Sequence, residues 1–189
     1  MKNLELNFSG GKSDVLVLDV ETQYLSDEVP GGWNAVEKFK VALAVTWDER
    51  SGIRLWYEED VPTLLAELER FDPIVTYNGE NFDFRVLGAY GSVKSLYRKS
   101  RDMLSFLNKK LGFRVALDSV AQATLGRRKT GSGKASVGWW RSGDKQKVID
   151  YCKKDVELTR DVYLFGKAKG YVSIDDSKRG GVRRVEVSW

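Results

Sequence analysis

Val15-Leu16-Val17-Leu18-Asp19-Val20-Glu21-Thr22 is the segment around which the chain is organised. Four apolar residues run without a break, and two carboxylates follow, two positions apart. An uninterrupted apolar run of this length reads as a strand buried on both faces, central in a sheet covered by helices. Side chains alternate along a strand, so Asp19 and Glu21 project from one face near its end. Two like charges at the rim of an apolar sheet repel each other and resist desolvation. A divalent cation between them relieves both penalties; the plainer alternative is a strand running out into a solvated acidic turn. Other parts of the chain must decide between the two.

Composition narrows the choice. At 189 residues the chain fits one domain with a sizeable core. Lys and Arg total 31 against 27 Asp and Glu, a net +4 that leans modestly toward polyanionic partners. A single cysteine, Cys152, excludes an internal disulfide framework and a cysteine-rich zinc site. Histidine is absent, so carboxylates, Tyr, Lys or Ser must carry any chemistry. No apolar run nears the roughly 18 residues that span a bilayer, and no signal-peptide core opens the chain. A cytoplasmic protein is expected.

Two glycine-rich segments resemble phosphate loops without matching one. Ser9-Gly10-Gly11-Lys12-Ser13 has Leu6 where a P-loop needs glycine, and precedes a strand instead of following one, so it reads as a turn. In the basic loop 127–134, Arg128 stands at the glycine position. That loop reads either as solvated surface or, on a nucleic-acid enzyme, as a phosphate contact through Arg127 and Lys129.

The middle of the chain alternates strand and helix signals. Residues 23–39 read as a loop around Pro30-Gly31-Gly32. Lys40 to Trp47 and Ile53 to Tyr57 read as strands joined by a turn at 48–52. Asp60 caps a helix with Pro62 in its first turn and an apolar face of Leu64, Leu65, Leu68 and Phe71. Ile74-Val75-Thr76 is a short parallel strand, and a mixed α/β sheet follows from this order. Tyr77-Asn78-Gly79-Glu80-Asn81-Phe82-Asp83 leads into the next helix. Asp83 falls in its first turn, where an acid also suits the helix dipole. Asp102 and Asp118 read as caps of helices that end near Gly112 and Gly126. Trp139 and Trp140 read as core, with base stacking as the alternative.

The late helix carries the sharpest clue. At roughly 100° per residue, Val148, Cys152, Val156, Thr159, Val162 and Tyr163 fall on one arc, and Asp150, Lys153, Lys154, Glu157, Arg160 and Asp161 on the other. Asp155 breaks the separation by sitting within the apolar arc. A carboxylate there costs several kcal/mol unless it is paired or binds a metal. Tyr151 lies one turn earlier on a neighbouring face. Residues 171–174 and 182–187 read as two short strands.

Taken together, these motifs resemble those of the DEDDy 3′→5′ exonucleases of the ribonuclease H-like superfamily, in particular the exonuclease domain of family B DNA polymerases and its stand-alone bacterial relatives. Asp19-Val20-Glu21-Thr22 is similar to the first family motif. Asn78, Phe82 and Asp83 match the second, and Tyr151-Cys152-Lys153-Lys154-Asp155 the third. The resemblance covers roughly residues 14–168.

It implies an α/β, ribonuclease H-like fold, with a central mixed five-stranded sheet flanked by helices, as a single domain over residues 1–189. Residues 170–189 form a C-terminal extension without an assigned role. The resemblance further implies that Asp19, Glu21, Asp83 and Asp155 hold two Mg²⁺ or Mn²⁺ ions and that Tyr151 orients the attacking water. Thr22, Asn78 and Phe82 would hold the terminal nucleotide. The activity implied is 3′→5′ hydrolysis of single-stranded or frayed DNA to 5′-mononucleotides. An exoribonuclease and a non-catalytic nucleic-acid-binding domain are the alternatives.

Overall fold

The structure, a computed structural model, describes residues 15–128, 131–176 and 181–189. The turn expected at 9–13 and the phosphate contact expected of Lys129 lie outside the described residues.

Five strands form one mixed sheet: β1 (Leu16–Thr22), β2 (Val41–Asp48), β3 (Gly52–Tyr57), β4 (Ile74–Thr76) and β5 (Ser100–Asp102), in the order β3-β2-β1-β4-β5. β1 is central, antiparallel to β2 and parallel to β4. The mixed α/β sheet expected from the sequence is therefore present. Its fifth strand is only Ser100-Arg101-Asp102, too short and polar to carry any periodic signal, and it is defined by its parallel pairing with β4.

The apolar run of β1 is buried on both faces, as its composition requires. Val15 and Val17 face one core, whereas Leu16, Leu18 and Val20 face the other. The second core is closed by α1 (Val61–Leu68), α2 (Asp83–Leu87) and α3 (Lys94–Lys99). The first is closed by α4 (Met103–Leu111), α5 (Leu117–Leu125), α6 (Gly133–Arg141) and the 25-residue α7 (Lys145–Lys169). Asp19 and Glu21 continue the Val17 row, so the sheet delivers both to the α7 side. A register shift between Glu21 and Thr22 ends the regular pairing with β2 there. Such irregularities re-aim side chains at the end of a strand.

Three local expectations are corrected. Residues 23–39 are not a plain loop: Ser26–Glu28 and Gly32–Lys38 are 3-10 turns, the second kinked at Ala35. Gly31 has φ +100°, and a Cβ there would lie 2.8 Å from that of Ala35, so the entry to the second turn needs glycine. Asp60 occupies the N-cap position of α1, but its carboxylate reaches back to accept from the Tyr57 N–H at 2.9 Å and makes no side-chain cap bond. Asp118 lies inside the first turn of α5, one residue past the start; Ala116, extended, is the N-cap.

The expectation for α7 holds over Val148 to Tyr163, the stretch it covered. Val148, Cys152, Val156, Thr159, Val162 and Tyr163 are all buried, and so is Asp155. After Gly170, β6 (Tyr171–Asp176) and β7 (Gly181–Glu186) pair antiparallel. Val172, Ile174, Val185 and Val187 join the core made by α5 and α7. Trp189 stacks on Tyr163 at 6.4 Å and packs edge-on against Phe106 at 5.3 Å. Among the described residues, no helix is long and apolar enough to cross a membrane.

Candidate active site

A cleft of about 480 Å³ opens at the end of β1. Asp19, Glu21 and Thr22 come from β1, Asn78 and Phe82 from the turn after β4, Asp83 from the start of α2, and Tyr151 and Asp155 from α7; all eight line it. The parallel β1–β4 pair places the two strand ends side by side, and α7 crosses over them. Residues more than 130 positions apart in the chain thus meet at one end of the sheet.

The carboxylates of the cluster lie close together and are poorly solvated. Asp83 is 4% exposed and Asp155 3%. Burial, and next the charge of Asp19, push the Asp83 carboxyl well above the usual carboxylate range. The Oδ1 of Asp83 is buried with no hydrogen-bond partner. Such an oxygen is costly unless a cation or donor meets it. The Tyr151 hydroxyl donates to Asp155, and burial together with the charges of Asp155, Glu21 and Asp19 holds the phenol protonated. Tyr151 is 4% exposed, with its ring edge-on to Trp139 at 6.1 Å.

These residues fit hard divalent ions. Carboxylate oxygens predominate, no imidazole competes, and the buried Asp83 oxygen without a hydrogen-bond partner is a further hard acceptor. Cys152 also belongs to the site, which its place on the apolar arc of α7 did not reveal. Its thiol donates to Asp19 Oδ2 at 3.2 Å, and the ligating atoms of Asp19, Glu21 and Cys152 lie within 4.8 Å of one another.

A second tier of residues shapes the turn before α2. Asn78 has φ +79°, and its backbone N–H donates to Asp102 Oδ1 at 2.9 Å; the Glu80 N–H donates to Asp102 Oδ2 at 3.0 Å. Asp102 caps α4 as expected, accepting from Leu104 and Ser105, so one carboxylate ties two elements together. The Asn78 side-chain oxygen accepts from Arg114 at 2.9 Å. Gly79 packs so tightly that a Cβ would lie 2.5 Å from the Thr76 side chain. The Thr22 hydroxyl donates to the Tyr24 carbonyl at 3.2 Å.

The cations are arranged differently from the sequence expectation. Arg127 does not line the cleft; it pairs with Asp161 and, at 3.5 Å, with Glu157, both on the solvent arc of α7. Lys134, at the start of α6, lines the cleft instead. Trp33 was missed too. It stands at the cleft beside Phe82, in a segment without periodicity, and only the glycines before it hinted at a defined turn.

A family model described as the RNase_H superfamily matches residues 16–164. The chain belongs to that superfamily. Membership accounts for the five-stranded mixed sheet, and nucleases of this superfamily use divalent metal ions. Among solved structures, the family B DNA polymerase of the hyperthermophilic archaeon Pyrobaculum calidifontis is similar to this RNase_H superfamily domain, with a TM-score of 0.59 and 17% identity. That match covers 87% of this chain and 25% of the polymerase, so the domain spans about a quarter of its length. At that identity the likeness concerns the fold. No curated protein matches the chain.

Proposed function

We propose that this RNase_H superfamily domain is a metal-dependent 3′→5′ exonuclease that removes 5′-mononucleotides from single-stranded or frayed DNA. The observation that carries the reading is the convergence of Asp19, Glu21, Asp83, Tyr151 and Asp155 on one cleft, with a buried Asp83 oxygen left unpartnered. Asp19, Glu21, Asp83 and Asp155 would hold two Mg²⁺ or Mn²⁺ ions. Bound there, such ions supply positive charge for the phosphoryl and leaving oxygens and make water a better nucleophile at neutral pH.

The chain's own residues do the rest. Tyr151, kept protonated and oriented by Asp155, acts as a hydrogen-bond donor that positions water and not as a base. Cys152 donates to Asp19 and fixes the orientation of that carboxylate. Asn78, held by Arg114, and the ring of Phe82 bound the space for the terminal nucleotide. Lys134 meets the phosphate backbone.

The test uses 5′-labelled single-stranded DNA and RNA with Mg²⁺ or Mn²⁺. The label is expected to stay on a ladder shortening from the 3′ end, faster on DNA than on RNA. Asp19→Ala and Asp155→Ala should abolish the ladder while the folded spectrum persists. Tyr151→Phe should slow it on the order of 100-fold. Internal cuts, loss of the label first, or undiminished digestion by both alanine variants would refute the reading.

A further inference from the structure

Trp33 is 66% exposed, an unusual state for the largest apolar ring type, and it stands at the wall of the cleft. Its ring is not loose. It meets Phe39 edge-on at 5.7 Å and Phe82 tilted at 6.2 Å, and Phe39 meets Phe82 at 6.2 Å, so three rings support one another. Its backbone is held as well. Arg85, on the helix that begins with Asp83, donates to the Trp33 carbonyl at 3.4 Å and to the Asn34 carbonyl at 2.8 Å, and pairs with Glu37 at 3.4 Å. The turn bearing Trp33 is therefore clamped to the helix bearing one of the acids.

We infer that Trp33 is a stacking platform for a nucleobase close to the scissile phosphate, positioned by Arg85. This rests on the nuclease reading above and deepens it, because it makes the base itself, as well as the phosphodiester, part of what the cleft requires. A rigid ring preset beside the acids binds a base with little loss of conformational freedom, and it is sequence-tolerant because every base has a π-face. The aromatic wall would also seat an unpaired base more readily than a paired one, which must first leave its partner and its stack in the duplex. Strands lacking a base at the stacked position are predicted to be poor ligands even where their phosphates are intact.

The experiment measures Kd by fluorescence anisotropy for 5′-labelled single-stranded DNA in calcium buffer, with strand integrity checked on gels. An abasic residue is walked through the last three nucleotides. On intact DNA, Trp33→Ala should raise Kd about 5- to 150-fold, the range of one lost base–aromatic stack. At one abasic position that penalty should collapse, because the base that Trp33 contacts is already gone. Trp33→Phe should recover part of the affinity, and Arg85→Ala should show a weaker loss that collapses at the same position. A Trp33→Ala penalty equal with and without the base at every position, or no penalty at all, overturns the inference. Failure of the parent protein to bind any of the strands would instead overturn the nuclease reading, and this inference with it.

Discussion

Replacing Asp102 with alanine should unfasten the turn that carries Asn78 from the sheet. Asp102 is 5% exposed and accepts four backbone N–H bonds: Asn78 at 2.9 Å, Glu80 at 3.0 Å, Leu104 at 2.9 Å and Ser105 at 3.1 Å. The two bonds to α4 form a helix cap, and losing a cap costs about 1 kcal/mol. The two bonds to the turn are charge-assisted, but Asn78 and Glu80 are only partly buried, so water replaces some of what is lost; about 1 kcal/mol each is a fair share. The sum is about 3 kcal/mol, which for a chain of this size lowers Tm by roughly 6–12 °C.

Asp102→Asn sharpens the argument. Its amide oxygen can take the place of Oδ1, which serves Asn78, Leu104 and Ser105, while its NH₂ then faces the Glu80 N–H, donor against donor. The asparagine variant should lose about half as much as alanine. Urea unfolding followed by tryptophan fluorescence and circular dichroism measures both, and turnover well below Tm should fall with the alanine variant as Asn78 and Asp83 lose their fixed spacing. A loss below about 1 kcal/mol for alanine, or an asparagine variant as unstable as alanine, would refute this account of the turn.

Four further outcomes follow from the same geometry. The Asp83 carboxyl has a higher pKa folded than unfolded, so the folded state holds the proton more tightly; without metal, stability should fall as pH rises from about 4 toward that higher value, and Asp83→Asn should flatten the profile in thermal melts. Mg²⁺ or Mn²⁺ at a hundredfold over its Kd should raise Tm by about 5–11 °C in the parent, most strongly above that pH window, and by much less in Asp83→Asn. Cys152 is buried and, like its thiol pKa, which burial and the charges of Asp19 and Glu21 push well up, this predicts inertness: iodoacetamide should label the native protein only as fast as it unfolds, as read by mass spectrometry, and labelling at the rate of a free thiol would contradict the Asp19 contact. Trp189→Ala removes the stack on Tyr163, the edge contact on Phe106 and an indole bond to the Tyr163 carbonyl at 3.0 Å, and should cost about 2–3 kcal/mol by calorimetry while turnover far below Tm is retained.

What could be read in advance was what leaves a local mark. The β1 run and the charge misplaced on the apolar arc of α7 are visible because periodicity turns a linear pattern into a face, and Asp155 violates that face. The β2–β3 hairpin was legible from the polar turn at 48–52 between two strand-like runs. The two 3-10 turns after β1 were not, since segments of three to seven residues have no period to detect. Nor was Arg127, whose two acidic partners on α7 lie 30 and 34 positions away and claim it before any phosphate could. Trp33 and Lys134 acquire meaning only once their segments meet across the cleft. The C-terminal strands could be recognised as short runs on either side of a polar turn, but their docking on α5 and α7 depends on a surface the strands themselves do not encode.

The acids and the core are parts of one device. Asp19 and Glu21 sit on the α7-facing row of β1 that also carries Val17, so the packing that seats Cys152 and Val156 against this sheet necessarily brings Asp155 and Tyr151 to the strand's end. The apolar floor gives the site its low polarity, which raises the cost of each uncompensated carboxylate and strengthens the pull on a divalent ion. A site of this kind cannot be tuned for stability without metal and for tight metal binding at once. Changes that ease the repulsion, Asp83→Asn foremost, should stabilise the metal-free fold and weaken the affinity for ions together, and a variant that improved both would show that the carboxylates do not share a common ion.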